Sequence, residues 1–348
     1  MMIKIPEDKI RSVKDKHLSY FESTGLPLLK DLAVKPSRLK KERKVWEYLL
    51  KEYKTVILGE PEQLETVITE VNRINGGRSL SKAISRGMMT VFDYGKFSVR
   101  QPGVHDNNWG AYLLVKELNI SVCPYCNRQY IHAYRMKSKS KDRKAQSENY
   151  KEGQTRAVLD HFYDKANFPY LSLSLYNLIP CCKVCNSDFK GTKSFTLNSF
   201  LHPYQDGFED KVRFTINPPR INGTDEIDLT ELLQKKELEI GIRFMTNDSD
   251  FKQRVENSVN LFKIKELYNF HDDYITEIIQ KSYHYSSEAI DNLLDNSGLI
   301  FQTREEVARF VVGNYVFNDG HHKRTLSKLT EDIVEELGLL QRFKDIRL

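Results

Sequence analysis

The chain has 348 residues, of which 40% are hydrophobic and 29% charged, and a formal net charge of +5. That length buries a sizeable core in one large or two to three modest domains, and the composition excludes global disorder. The mild basicity permits nucleic-acid binding without establishing it. No apolar run follows Met1-Met2-Ile3-Lys4 and none anywhere is long enough for a membrane span, so no leader or membrane segment is expected and a cytoplasmic location is.

Residues 1–108 read as a mostly helical N-terminal region. Between Leu39 and Tyr53, the residues Val45, Trp46, Leu49 and Leu50 recur at helical spacing. Pro61 suits the first turn of another helix, in which Leu64, Val67, Ile68 and Val71 repeat until Gly76-Gly77 stops it. The Lys35–Lys44 cluster admits two readings, a phosphate contact or a solvated face, and the second is the more frequent. Gln101-Pro102-Gly103 and Asp106-Asn107-Asn108 mark a turn-rich boundary.

Residues 109–205 carry the chemistry. A short helix over Trp109–Leu118 leads into Cys123. Gln129–Met136 reads as a strand, with Tyr130, Ile131 and Tyr134 as packing residues. Lys137–Gly153 is a polar, basic insert, and Thr155–His161 is the return strand, so Asp160 and His161 sit at a strand end. Phe168–Pro180 reads as a covering loop that delivers Asn177. A helix then starts near Cys185 and runs towards Phe189, with Asn186 in its first turn.

In residues 206–348, Lys211–Ile216 and Glu239–Phe244 are strands of a small accessory sheet, with a short piece over Asp228–Leu233. The chain is helical from Asp250: Val255, Val259 and Phe262 share a face, as do Tyr274, Ile278 and Ile279. Glu305–Phe317 and Leu326–Leu340 complete a C-terminal helical region.

Four of the five cysteines form two Cys-x-x-Cys pairs, Cys123/Cys126 and Cys182/Cys185. An odd count at knuckle spacing reads as reduced thiolates, not as a disulfide framework. Two such knuckles are the ligand set of a tetrahedral structural Zn²⁺, which leaves no position open for chemistry. Cys181 is the residue left over, since only Cys182 has the two-residue spacing to Cys185.

Three quoted segments together resemble the HNH (ββα-metal) endonucleases, in the branch stapled by two zinc knuckles. They are Cys123-Pro124-Tyr125-Cys126-Asn127, Leu159-Asp160-His161-Phe162, and the return from Asn177-Leu178 to Cys182-Lys183-Val184-Cys185-Asn186. The resemblance implies an α+β fold: a ββα-metal (HNH) core with a structural zinc, flanked by N- and C-terminal mostly helical regions and the small accessory sheet. It implies His161 as general base, one divalent metal (Mg²⁺ or Mn²⁺) held by Asp160 and Asn186, and Asn177 propping the His161 loop. The order of elements is also similar to the HNH subunit of Septu-type and retron-associated anti-phage systems. That implies antiviral defence, DNA as substrate with RNA (tRNA included) as the alternative, and a partner ATPase. No Gly-x-x-x-x-Gly-Lys-Ser/Thr motif occurs here, so nucleotide sensing falls to such a partner.

Phosphodiester hydrolysis needs a positioned water, a group to take its proton, and positive charge on the developing phosphorane. A neutral histidine with a pKa near 6.5 suits the first task at cytosolic pH, and Mg²⁺ needs only one or two protein oxygens beside the phosphate. Adjacent strand residues point to opposite faces, so Asp160 and His161 serve one site only if the strand bends there. Lys190, four residues beyond Asn186, is a candidate substrate contact, as are Arg128 and Lys193; a solvated surface lysine is the competing reading. His132 and His202 are candidate extra ligands or plain structural residues, and His321-His322-Lys323-Arg324 reads as a basic turn. The alternative to an enzyme is a zinc-knuckle module that binds nucleic acid or protein, with His161 a core histidine.

Overall fold

The structure is a computed structural model that describes residues 2–35, 40–99, 109–135, 154–218, 221, 226–234, 238–297, 300–317 and 320–344. The Lys137–Gly153 insert and the Gln101–Asn108 boundary lie outside the described residues. Among the described residues the fold mixes many helices with three two-stranded antiparallel sheets. The strands are β1 (Tyr134–Arg135), β2 (Gln154–Thr155), β3 (Val158–His161), β4 (Leu178–Cys181), β5 (Val212–Thr215) and β6 (Gly241–Phe244); they pair β1 with β2, β3 with β4, and β5 with β6. No helix among the described residues is long and apolar enough to cross a membrane.

The chain falls into two compact units, neither of them a continuous stretch. One comprises Ile5–Ile120 and Ile131–Gln205; the other comprises Met1–Lys4, Ser121–Tyr130 and Asp206–Leu348.

In the first unit, the helix Pro61–Asn75 starts and stops where its sequence says it should. Pro61 occupies the first turn, and Glu60 and Gln63 cap each other's backbone reciprocally. Gly76, at φ +73°, supplies the left-handed residue that ends it. Leu64, Val67 and Val71 form its buried face. The polar side then holds the site module: Glu65 accepts the Leu197 amide (3.0 Å) and the Pro61 carbonyl accepts the Tyr163 hydroxyl (3.4 Å). His17, in the helix Lys14–Thr24, is buried between the Leu173 carbonyl (2.7 Å from Nε2) and the Trp109 indole N–H (3.2 Å from Nδ1).

The strands of this unit depart from expectation. Among the described residues Gln129–Met136 is not one strand: Tyr130 makes an isolated bridge with Val122 and Tyr134–Arg135 pairs separately, and Tyr130 and Tyr134 are exposed, leaving Ile131 as the residue that packs. Thr155–His161 is broken at Arg156-Ala157, and its two pieces belong to different sheets. The piece carrying Asp160 and His161 pairs with β4, in the register Val158↔Cys181, Leu159↔Pro180, Asp160↔Ile179 and His161↔Leu178. The segment expected to be a loop therefore supplies the second strand. It escaped notice because all four β4 residues are buried, which removes alternation, and because Pro180 reads as a strand breaker.

β4 leads into the helix Val184–Lys190, so the local order is strand, strand, helix. This helix is a π-helix, closed by Gly191 N–H donating to the Asn186 carbonyl five residues back (3.0 Å).

In the second unit, β5 and β6 form the expected accessory pair, Val212↔Phe244 to Thr215↔Gly241. Leu326–Leu340 is two helices, Ser327–Glu336 and Leu339–Lys344, separated at Gly338 (φ +77°). Ser327–Glu336 is buried along most of its length, Lys328, Glu331 and Asp332 included. Asn127, itself left-handed at φ +47°, ties its start: Nδ2 donates to the His321 carbonyl (3.0 Å) and its own carbonyl accepts the Leu326 amide (2.7 Å). His321 and His322 lie in a turn, as expected, but they are buried and form no surface patch.

Candidate active site

Cys123, Cys126, Cys182 and Cys185 are all buried, and their four sulfur atoms lie within 4.8 Å of one another. Tetrahedral Zn–S bonds of ~2.3 Å put the sulfurs ~3.8 Å apart, so four soft donors at this spacing fit one zinc ion. Within each knuckle the backbone already favours that geometry: Asn127 N–H donates to the Cys123 carbonyl (2.8 Å) and Cys185 N–H to the Cys182 sulfur (3.4 Å). Cys181 stands outside the group, in β4, where burial pushes its thiol well up. The two-residue spacing therefore chose the right cysteine.

The strand end is built around His161. Its Nε2 lies 3.1 Å from the Ser172 carbonyl. A carbonyl only accepts, so Nε2 carries the hydrogen and the lone pair of the neutral ring is on Nδ1. The Tyr94 ring meets the imidazole edge-on at 4.5 Å. Burial, with a smaller push from the positive charges of Lys165 and Lys190, pulls the imidazole down to about 4 against the bond to Ser172. The expected value near 6.5 is thus not met. The ring is neutral at neutral pH, and a weaker base than a solvated histidine.

Asn177 is wholly buried and spends its amide on the two segments that aim this ring. Oδ1 accepts the Tyr163 amide (2.7 Å), and Nδ2 donates to the carbonyls of Tyr163 (3.1 Å) and Leu171 (2.9 Å). Tyr163 lies two residues past His161, and Leu171 immediately precedes the Ser172 acceptor. One amide therefore clamps both the ring's own loop and its hydrogen-bond partner.

Asp160, also buried, is held by Lys190: Nζ donates to Oδ1 (2.9 Å) and to the His161 carbonyl (2.7 Å). Pairing runs through Asp160 and His161 without a break, so the two side chains leave β3 on opposite faces, towards Lys190 and towards Ser172 with Tyr94. Asn186 is partly exposed on the helix Val184–Lys190, and its Nδ2 donates to Ser187 Oγ (3.3 Å). That bond leaves the amide oxygen as the atom for a hard cation, and a carboxylate plus an amide oxygen is a donor pair of the kind Mg²⁺ accepts.

The three candidate substrate contacts fare differently. Lys190 is 3% exposed, which overturns both the solvated reading and direct phosphate contact. Arg128 donates to His271 Nε2 (3.1 Å) and is half-buried. Lys193 is exposed. His132 is exposed; His202 is fully buried with its ring 4.2 Å from that of Phe162, and burial drives it down to about 3, the profile of a core histidine. Lys165 was missed: it is exposed, its ammonium lies 5.1 Å from the Tyr94 ring, and its charge acts on His161. Four residues beyond His161, it was visible only as one lysine among many.

No protein-family model, curated protein or solved structure matches the chain.

Proposed function

We propose that the chain is a metal-dependent HNH endonuclease that hydrolyses phosphodiester bonds, with DNA as the favoured substrate. The observation that supports the reading is the His161 setting: a neutral imidazole with Nε2 fixed on a carbonyl and clamped by a wholly satisfied Asn177. His161 accepts the proton of the attacking water at Nδ1, and the Ser172 carbonyl shares the charge of the imidazolium that forms. Asn177 keeps ring and acceptor in register while this happens. Lys165 offers its exposed ammonium to the substrate backbone beside His161. Asp160 and the Asn186 oxygen are the groups that would hold a divalent cation, which would supply the positive charge that the phosphorane needs; with Asp160 and His161 on opposite faces of β3, they would meet at one phosphate only if the strand end turned there. The thiolate-bound zinc is structural.

The test is incubation of purified protein with plasmid and with total tRNA, with Mg²⁺ or with EDTA present only during the assay. Mg²⁺-dependent cutting is expected, lost in His161→Ala with zinc content unchanged. A His161→Ala protein that cuts at the wild-type rate sinks the base assignment. Cutting of tRNA alone moves the substrate to RNA. No cutting, even with an adjacently encoded ATPase added, returns the chain to a zinc-knuckle binding module. The proposed setting, an anti-phage effector working with that ATPase, rests on the quoted motif segments and their order.

A further inference from the structure

We propose that Lys190 is a positioning residue that neutralises Asp160 in the metal-free protein and makes the divalent cation share that carboxylate, so the substrate-free site holds its metal weakly. The inference rests on the reading of Asp160 as a metal ligand.

Both side chains of the pair are 4% exposed, so water stabilises neither charge. A buried carboxylate in that position persists only with a cation against it. Lys190 supplies one, and spends a second donor on the His161 carbonyl, fixing the Asp160 side chain and the backbone of the next residue with one ammonium. Its remaining face lies against the Phe195 ring, 4.8 Å from the centroid. Lys190 is the last residue of the helix Val184–Lys190 and is buried, whereas Asn186 in the same helix is partly exposed.

An ionised carboxylate has two oxygens and room for about four hydrogen bonds or ligand contacts, so an ammonium and a metal ion can occupy it together. They repel each other across it, and in a poorly solvated place that repulsion is strong. Asp160 thus keeps its position without metal, at the expense of metal affinity. A nucleic-acid phosphate, adding negative charge, restores the balance.

The experiment measures Mn²⁺ binding to the zinc-loaded full-length chain without nucleic acid, by titration calorimetry, together with Tm at increasing Mn²⁺. The wild-type protein is expected to bind one Mn²⁺ weakly, and Asp160→Asn to lose it. Lys190→Met should bind at least about tenfold tighter and gain more Tm from Mn²⁺, while Lys190→Arg, which keeps the charge, should stay within about threefold of wild type. A Lys190→Met protein that is unfolded alone but folds on adding Mn²⁺ supports the proposal, since the metal then replaces the ammonium. Unfolding with and without Mn²⁺, or a Kd within about threefold of wild type, overturns it. If the wild-type protein binds no Mn²⁺, the metal-ligand reading of Asp160 falls as well; if it binds and only the Lys190→Met shift is missing, this inference alone falls.

Discussion

Among the described residues two lysines are buried against aspartates, and the surroundings differ. Lys328 and Asp332 lie one turn apart in the helix Ser327–Glu336, with side chains 2% and 0% exposed. Asp332 also accepts the Phe214 amide (2.9 Å) and lies 3.7 Å from Arg213, while Glu331 lies near Lys328 (3.5 Å) and His321 (3.0 Å). Lys190 and Asp160 are 30 residues apart in sequence, joining a strand end to a helix beside a neutral imidazole with a lone pair on Nδ1. The first pair sits in a closed web of charges that braces a fold. The second sits beside a group able to do chemistry. Burying an ion pair therefore does not mark a site by itself.

The comparison can be pressed with other buried charges, from the largest expected effect down. The four clustered cysteines are the extreme case: a zinc ion held by four thiolates is worth on the order of 10 kcal/mol in small zinc domains. Cys185→Ser should lose the zinc and the fold with it, whereas Cys181→Ser should keep one zinc per chain; metal analysis and Tm decide. Lys328→Met should cost about 3–5 kcal/mol in chemical denaturation, and Mn²⁺ should restore none of it, in contrast to Lys190→Met. Burial holds Asp332 up to about 6 despite Lys328, so the loss should shrink below that pH as the carboxyl takes a proton. Recovery of Lys328→Met by Mn²⁺ would erase the distinction between the pairs.

Asn177→Ala removes three buried hydrogen bonds and should cost about 3 kcal/mol, with cleavage falling further than the folded fraction. Equal losses in cleavage and folded fraction would make Asn177 a brace only. Smallest per residue are the buried imidazoles, bases kept neutral. Burial lowers His17 to about 4 and His202 to about 3, below the unfolded value near 6.5. Their stabilisation is present above that unfolded value and is lost as pH falls towards the folded values, about 2 kcal/mol each between pH 7 and 5. A second proton on His17 must also break its bond from Trp109. Denaturation at those two pH values should show the slope, and His17→Gln should flatten it; a slope unchanged in that variant would assign it elsewhere.

Much of the helical frame was legible. Pro61 and Gly76 bound their helix because a fixed φ and a left-handed residue are local requirements, indifferent to the rest of the molecule. The accessory strands β5 and β6 and the choice of Cys182 over Cys181 were local in the same sense. The partner of β3 was not legible, because a strand buried on both faces carries no alternation and Pro180 argued against it. Nor was the burial of Lys190, which depends on the Asp160 carboxylate and the His161 carbonyl, some thirty residues away in sequence. The tyrosines Tyr130 and Tyr134 misled for the same reason: without a continuous strand there is no face for them to pack on.

Residue chemistry alone determined that four thiols spaced to hold a soft metal would gather and that an Asp-His pair would stand near an Asn able to brace it. Those choices need only ligand softness, spacing along the chain and hydrogen-bonding capacity. The tertiary structure decided which atom of His161 holds the carbonyl, how far burial depresses its basicity, and that Asp160 is already matched by an ammonium. These are properties of desolvation and of contacts between segments far apart in sequence, which exist only once the chain has folded.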